Sequence, residues 1–261
     1  MNDQPNAAHV AYLDEMFLAS DEARPLRILS EYLDPLQALR RAHIRNTIVF
    51  FGSARITDQG PMGRYYREAR ELSRLITQWA KELPSSSHHF VVCSGGGGGI
   101  MEAANRGAAD AGGRSIGLNI SLPHEQRPNA YVTPELTFEF HYFFMRKLWF
   151  AHLARALVVF PGGFGTLDEL TEILTLAQTR KLERRIPILL YGHAFWNEVV
   201  NFEALVRHGT VSPQDLQLFE FVDQPQAAFE RVKQLLGAPE AGDGPAFTHS
   251  RRRGANANGD R

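Results

Sequence analysis

Short, nearly unbroken apolar runs recur along the chain at Thr47–Phe51, Phe90–Cys93, Ser115–Ile120, Thr137–Phe140, Ala156–Phe160 and Ile186–Tyr191. Several are continuously apolar where a half-exposed strand would alternate, the pattern of parallel strands covered on both faces. Between them lie segments with apolar residues at helical spacing: Gly63–Lys81, Ile100–Ala111, His141–Ala154, Thr166–Lys181 and Ala194–Val206. Strands alternating with helices predict a mostly parallel sheet with helices on both faces, a three-layer α/β/α architecture in a single domain.

The two ends depart from this rhythm. Leu26, Leu29, Leu33, Leu36 and Leu39 recur at helical spacing, so residues 1–44 read as an N-terminal helical extension, with Pro35 as a predicted break. Residues 45–237 carry the alternating pattern. Residues 238–261 are rich in Gly, Ala, Asn, Asp and Arg, too poor in apolar surface to offset ordering entropy, and read as a disordered tail.

Composition narrows the function. The chain has 261 residues, 44% hydrophobic, with a net charge of -1, which offers no electrostatic case for nucleic acid or an anionic membrane surface. With Cys93 as the sole cysteine, neither an intrachain disulfide nor a cysteine-based metal site can form. The N-terminus lacks the basic-then-apolar order of a signal peptide, and no apolar run reaches membrane-spanning length. A cytoplasmic location is the expectation.

Two glycine-rich turns each follow a strand and open a helix: Ser94-Gly95-Gly96-Gly97-Gly98-Gly99 and Pro161-Gly162-Gly163-Phe164-Gly165-Thr166. In an open α/β sheet both fall at the C-terminal edge of the strands, where ligands bind. Glycine lets an anion approach the amides closely, and a helix N-terminus adds unpaired N–H groups and partial positive charge. One such turn is often only a tight connection; two at one edge point to a ligand. Neither turn contains the lysine of a Walker A loop, and neither has glycines at the offsets of the dinucleotide fingerprint.

Thr166 and Glu169 have the spacing of a capping box, and the helix dipole is expected to keep Glu169 ionised. An ionised carboxylate beside a phosphate cradle suits a reaction that develops positive charge, as cleavage of a ribosyl bond does. It could also deprotonate an attacking water. Upstream, Arg146 and Lys147 stand in the aromatic stretch Tyr142–Met145. The pair is either solvent-exposed on an amphipathic helix or reaches the strand ends.

Pro161 to Glu169 match the pattern Pro-Gly-Gly-x-Gly-Thr-x-x-Glu at every fixed position, and Arg146-Lys147 precede it at the right distance. These residues resemble the LONELY GUY family of cytokinin riboside 5′-monophosphate phosphoribohydrolases, over about residues 47–191. Ser94 to Gly97 look like that family's upstream glycine turn, and Gly52-Ser53 like its first-strand Gly-Ser. The resemblance implies a Rossmann-like fold and hydrolysis of a nucleoside 5′-monophosphate, AMP or an N6-substituted AMP, to free base and ribose 5-phosphate. It implies Arg146 and Glu169 as the catalytic pair. The phosphate would be held by Gly162, Gly163, Gly165 and Thr166 with Ser53. The further candidates for binding are Gly52, Ser94, Gly95, Gly96, Gly97 and Lys147. No metal or organic cofactor is implied, and family members are usually homodimers with sites near the interface. Phe143 and Phe144 stand where the family's second motif usually has Met-His, and Glu102 where a Gly is common, which leaves the base open.

Two other classes compete. A non-catalytic carrier of a nucleotide or of molybdenum cofactor would share the fold, but would not require Arg146 and Glu169. A pyridoxal-phosphate decarboxylase needs a Schiff-base lysine. Of Lys81, Lys147, Lys181 and Lys233, only Lys147 lies near a glycine turn. Among other residues, His88-His89 read as a surface turn, His141 and His152 as structural, Cys93 as a small buried hydrophobe, and Arg127 and Asn129 as candidates to line the base pocket.

Overall fold

In the computed structural model the described residues are 10–84, 90–121, 127–182 and 184–237. The tail, His88-His89 and His124 lie outside them.

The apolar runs form the interior strands of one sheet. Strands β1 (Asn46–Phe51), β2 (Phe90–Ser94), β5 (Ala154–Val159) and β6 (Ile188–Tyr191) are buried at every position, and β3 (Ser115–Ile120) at all but its last. The edge strands β4 (Thr137–Phe140) and β7 (Glu220–Val222) are part-exposed. All pairings are parallel, in the order β4-β3-β2-β1-β5-β6-β7. The chain runs outward from β1 to β4 and then returns to β5, beside β1. That reversal is the topological switch point of a Rossmann-like sheet, where the loops leaving neighbouring strands diverge and open a crevice.

Alternate residues of each strand feed two cores. Ile48, Phe50, Val92, Ala156 and Val158 pack under α3 (Gly63–Glu82), α4 (Ile100–Asp110) and α9 (Pro225–Gly237). Val49, Phe51, Cys93, Leu157 and Val159 pack under α2 (Arg24–Arg41), α5 (Phe143–Leu153), α6 (Phe164–Gln178) and α7 (His193–Val199). Helix α4 approaches α3 closely because it presents small residues. A Cβ on Gly107 would lie 2.0 Å from the Arg70 carbonyl oxygen.

The structure corrects the sequence expectations in several places. Pro35 does not break the extension: α2, preceded by the short α1 (Glu15–Ala19), runs through it. Proline removes the N–H that would bond the carbonyl four residues back, here Glu31. That carbonyl instead accepts a hydrogen bond from the Trp149 indole N–H at 3.2 Å. The Glu31 carboxylate accepts from the backbone N–H groups of His141 and Tyr142, at 2.7 and 3.2 Å, at the start of α5. The extension is thus bolted to the helix that carries Arg146. Ala194–Val206 is two helices, α7 and α8 (Phe202–Arg207), because Asn201 caps a new start through its side chain. β7 and α9 lie beyond the elements the sequence pattern predicts; β7, one exposed and two half-buried residues, makes no apolar run.

The Trp149 bond gives a double-mutant test. Trp149→Phe is expected to destabilise the chain by about 1–3 kcal/mol, the usual cost of an unpaired buried polar group. In a Pro35→Ala background, where the restored N–H can pair with Glu31, the same change costs measurably less. Urea unfolding of the four proteins checks it.

Candidate active site

Three backbone bonds gather the strand ends at the switch point. The N–H of Phe160 donates to the carbonyl of Phe51 at 2.8 Å, and that of Ser53 to Pro161 at 3.0 Å. The N–H of Ile100 donates to the Ser53 carbonyl at 3.1 Å. Ser53 therefore ties the start of α4 to the turn before α6. Gly52 serves this approach, because a Cβ there would lie 2.6 Å from the Ile100 side chain. Its requirement for glycine is one of packing.

The two glycine turns differ. The first is buried and internally bonded. Ser94 donates from Oγ to Asn105 at 2.7 Å and accepts from the N–H of Gly96 at 3.0 Å. Asn129 donates from Nδ2 to the carbonyls of Gly96 and Gly97 and to Asn105, all within 3.0 Å. Gly96 has a left-handed φ of 70°, and a Cβ on Gly95 would meet the Met101 sulfur. The second turn is open. A Cβ on Gly163 or on Gly165 would meet nothing within 4 Å, so packing demands glycine at neither position. Gly163 is the N-cap of α6 and has no side chain to satisfy the N–H groups of the first turn. Gly162 is different: a Cβ would lie 2.1 Å from Thr166 Oγ1. Thr166 is buried beneath the turn.

Helix α6 begins at Phe164 with no side-chain cap, so the capping box expected of Thr166 and Glu169 does not form. Glu169 turns instead toward α5. Its Oε1 accepts from Arg146 Nη2 at 2.7 Å, and the two side chains are only 13% and 12% exposed. The Arg146 guanidinium lies over the rings of Phe143 and Phe150 at 5.5 and 5.6 Å, and its buried Nε has no partner among the described residues. Glu169 is a full turn beyond the first, away from the strongest helix field. Burial pushes its pKa up to about 7; Arg146 opposes the rise and Asp168 adds to it. The expectation that it stays fully ionised is corrected: near neutral pH both forms are populated.

Lys147 points away from that pair. Its Nζ is 2.8 Å from Asp168 and 3.1 Å from Glu172. Burial works against its charge, but the two carboxylates outweigh burial and raise its pKa. Sequence reasoning missed Asp168, Glu172, Asn105 and Glu31, whose partners are distant in the chain. Asn129, expected in a base pocket, staples the first turn. Cys93 is buried and its thiol pKa is pushed well up by desolvation. No cluster of metal-ligating side chains occurs among the described residues, and no helix there is long and apolar enough to cross a membrane.

Fold and site together define a Rossmann-like α/β protein with an open helix N-terminus and a buried arginine–glutamate pair on adjoining helices. A family model described as "Possible lysine decarboxylase" matches residues 101–232, and the chain belongs to that family. Among curated proteins it is similar to cytokinin riboside 5′-monophosphate phosphoribohydrolase LOG3 of Arabidopsis thaliana. The two are 27% identical over 202 residues, 76% of this chain and 85% of the relative. The match to LOG7 of the same plant is 36% identical over 91 residues, 34% of this chain and 40% of the relative's length. Two solved structures share the fold. The molybdenum cofactor binding protein of Rippkaea orientalis has a TM-score of 0.51 at 19% identity, covering 73% of this chain and 97% of that one. TM1055 has a TM-score of 0.52 at 20% identity, covering 72% and 99%.

The family description implies pyridoxal phosphate, and Lys147, the lysine beside a glycine turn, does not fit it. A Schiff-base lysine must be free and neutral. Lys147 is held charged by two carboxylates.

The raised pKa of Glu169 has a signed consequence. Between its ordinary 4.5 and about 7 the native chain holds a proton that the unfolded chain has released. Stability therefore falls as pH rises through that window, by up to about 3 kcal/mol. Glu169→Gln is expected to lack this component. The difference between the two proteins' unfolding free energies from pH 4 to 8 measures it.

Proposed function

We propose that this chain is a nucleoside 5′-monophosphate phosphoribohydrolase. It would hydrolyse the base–ribose bond of AMP or an N6-substituted AMP to free base and ribose 5-phosphate. The observation that carries the reading is the buried ion pair between Arg146 of α5 and Glu169 of α6, the helix whose open N-terminus has two glycines that packing does not require. The 5′-phosphate would sit on the first-turn amides of α6, against Gly162, Gly163, Gly165 and Thr166, with Ser53 at its flank. Ser94 to Gly97, held by Asn129, would form the opposite wall, and Lys147 would hold Asp168 and Glu172 off the phosphate.

As the bond between C1′ and the base nitrogen breaks, its electron pair leaves with the base and the ribose becomes oxocarbenium-like. The Glu169 carboxylate is the group suited to stabilise that cation and to take a proton from the water attacking C1′; passing a proton on to the departing base nitrogen frees the neutral base and restores the carboxylate. Arg146 keeps part of the Glu169 population ionised and orients it. The similarity to the plant phosphoribohydrolases supports this reading. The protein is further expected to be a cytoplasmic homodimer. The exposed Phe143, Phe144, Leu148 and Phe164 around the pair offer an apolar rim for a second copy, and light scattering on the purified chain tests this.

Incubation with AMP and N6-substituted AMP, with free base followed by chromatography, tests the activity. Glu169→Gln and Arg146→Ala are each expected to lower kcat/KM by at least about 100-fold, the scale of a lost acid–base group. Release unchanged by Glu169→Gln ends the assignment. A tightly bound ligand without turnover would favour a carrier.

The ionised carboxylate is the working form, so kcat/KM should rise with pH and level off above about 7, following the Glu169 pKa. A profile falling through that range would assign Glu169 as an acid instead.

A further inference from the structure

On the face of the sheet opposite the Arg146–Glu169 pair, α3 and α4 enclose a cleft of about 260 Å³. Charged side chains line it: Arg67, Arg70, Glu71 and Arg74 of α3 and Asp110 of α4. None of them belongs to the proposed nucleotide site. Asp110 ends α4, about 15 Å along the helix from the glycine turn at its start. The two helices are locked to each other by the close approach at Gly107 and by the bond from Ser73 Oγ to the Ala104 carbonyl. The volume is below the roughly 300–1,000 Å³ of pockets that enclose a drug-sized ligand, so the cleft suits a charged group and not a whole hydrophobic body.

Arg67, Arg70 and Arg74 follow one another at i, i+3 and i+7 along one side of α3, over about 10 Å. A guanidinium carries donors on Nε and on both Nη atoms. Arg70 donates to Asp110 from Nε alone. Arg67 donates from Nη1 alone, to the Asp58 carbonyl at 2.7 Å and its carboxylate at 2.9 Å. The Nη groups of Arg70, and Nε and Nη2 of Arg67, have no partner among the described residues. Arg74 is closed, holding Glu71 through Nε and Nη2 and Gln78 through Nη1. The acids thus orient the first two arginines without saturating them. Counting Arg67, Arg70, Arg74 and the neighbouring Arg106 against Asp58, Glu71 and Asp110 leaves an excess of one positive charge. The Asp110 carboxyl is held below its ordinary pKa by its bond to Arg70, with burial opposing and the charges of Arg106 and Arg74 adding. Glu71 is lowered chiefly by its bonds to Arg74. The field at both acids is therefore positive.

We propose that this cleft binds a di- or triphosphate chain, free or as the tail of a nucleotide. A guanidinium fork pairs two oxygens of one phosphate at once, and a linked chain lets successive phosphates meet successive arginines. The unspent nitrogens of Arg70 take one phosphate and those of Arg67 the next. Arg74 and Arg106 contribute charge without a direct bond. A single phosphate is too short to serve the row, and a hydrophobic acid finds no apolar side chain to rest on. Binding here needs neither Arg146 nor Glu169 and is independent of the proposed hydrolysis.

Isothermal titration of the full chain with tripolyphosphate in magnesium-free buffer tests this, with pyrophosphate and inorganic phosphate as shorter probes. The expected result is saturable binding, one per chain, at least tenfold weaker for inorganic phosphate and for Arg70→Gln. Arg67→Gln gives the same loss should Arg70→Gln fold poorly. Asp110→Asn releases Arg70 Nε and is expected to tighten binding at least threefold, a gain that a purely structural ion pair would not produce. Arg64→Gln, an α3 arginine outside the cleft, should bind like the wild type. So should Gly163→Asp, which sets a carboxylate in the open turn of α6 and separates this result from the fate of the nucleotide site. Titrating ATP into the Gly163→Asp chain distinguishes the sources: an affinity equal to that of tripolyphosphate assigns the bare chain, and one at least tenfold tighter assigns a nucleotide tail. Equal binding by wild type and Arg70→Gln, weaker binding by Asp110→Asn, loss of binding in Gly163→Asp, or no saturation at millimolar tripolyphosphate overturns the site.

Discussion

The hydrogen bond from the N–H of Ser53 to the carbonyl of Pro161 is the joint on which the candidate site depends. Strand β1 and strand β5 are neighbours in the sheet but far apart in sequence, and each ends in a turn that must go its own way. Tying those turns to each other, and Ser53 onward to Ile100, brings the starts of α4 and α6 to one crevice. The glycines at 52 and 162 allow that closeness, since a side chain on either would collide with Ile100 or Thr166. What remains unfilled is the space above Gly163 and Gly165.

Electrostatics divide the neighbourhood into an inner pair and an outer group of three. Arg146 and Glu169 are nearly dry, so each charge costs desolvation and each depends on the other. Lys147, Asp168 and Glu172 are wetter and form a separate network on the same two helices. Two adjacent cations on α5 thereby acquire different surroundings. Reversing their order would put the shorter, point-like ammonium against Glu169, where the planar fork of a guanidinium now reaches it.

Much of this was legible in the chain itself, for identifiable reasons. Continuous apolar runs mark strands buried on both faces, and the strand ends at Phe51, Ser94 and Phe140 agree with that reading to about a residue. The glycine turns were readable from their place between strand and helix, whereas the Arg146–Glu169 association was implied by the family resemblance and left open by spacing alone. The failures are local rules overridden by tertiary partners. Thr166 and Glu169 have capping spacing, but the helix starts earlier and Glu169 finds Arg146. Pro35 is tolerated because an indole from another helix takes the stranded carbonyl. No local signal marks Asn129 or Asn105 as the staples of the first turn, because the contacts that define their roles are long-range.

The seam between α2 and α5 bears on how such a chain can change over time. The carbonyl freed by Pro35 is useful only while Trp149 is present, and the Glu31 carboxylate only while α5 starts where it does. Neither partner is favourable by itself, so these positions are expected to be inherited together or exchanged together. The first helices are therefore not an ornament that can be grafted on or pruned at leisure. They are one half of a bearing whose other half carries the arginine, and loss of either half would be felt at the crevice.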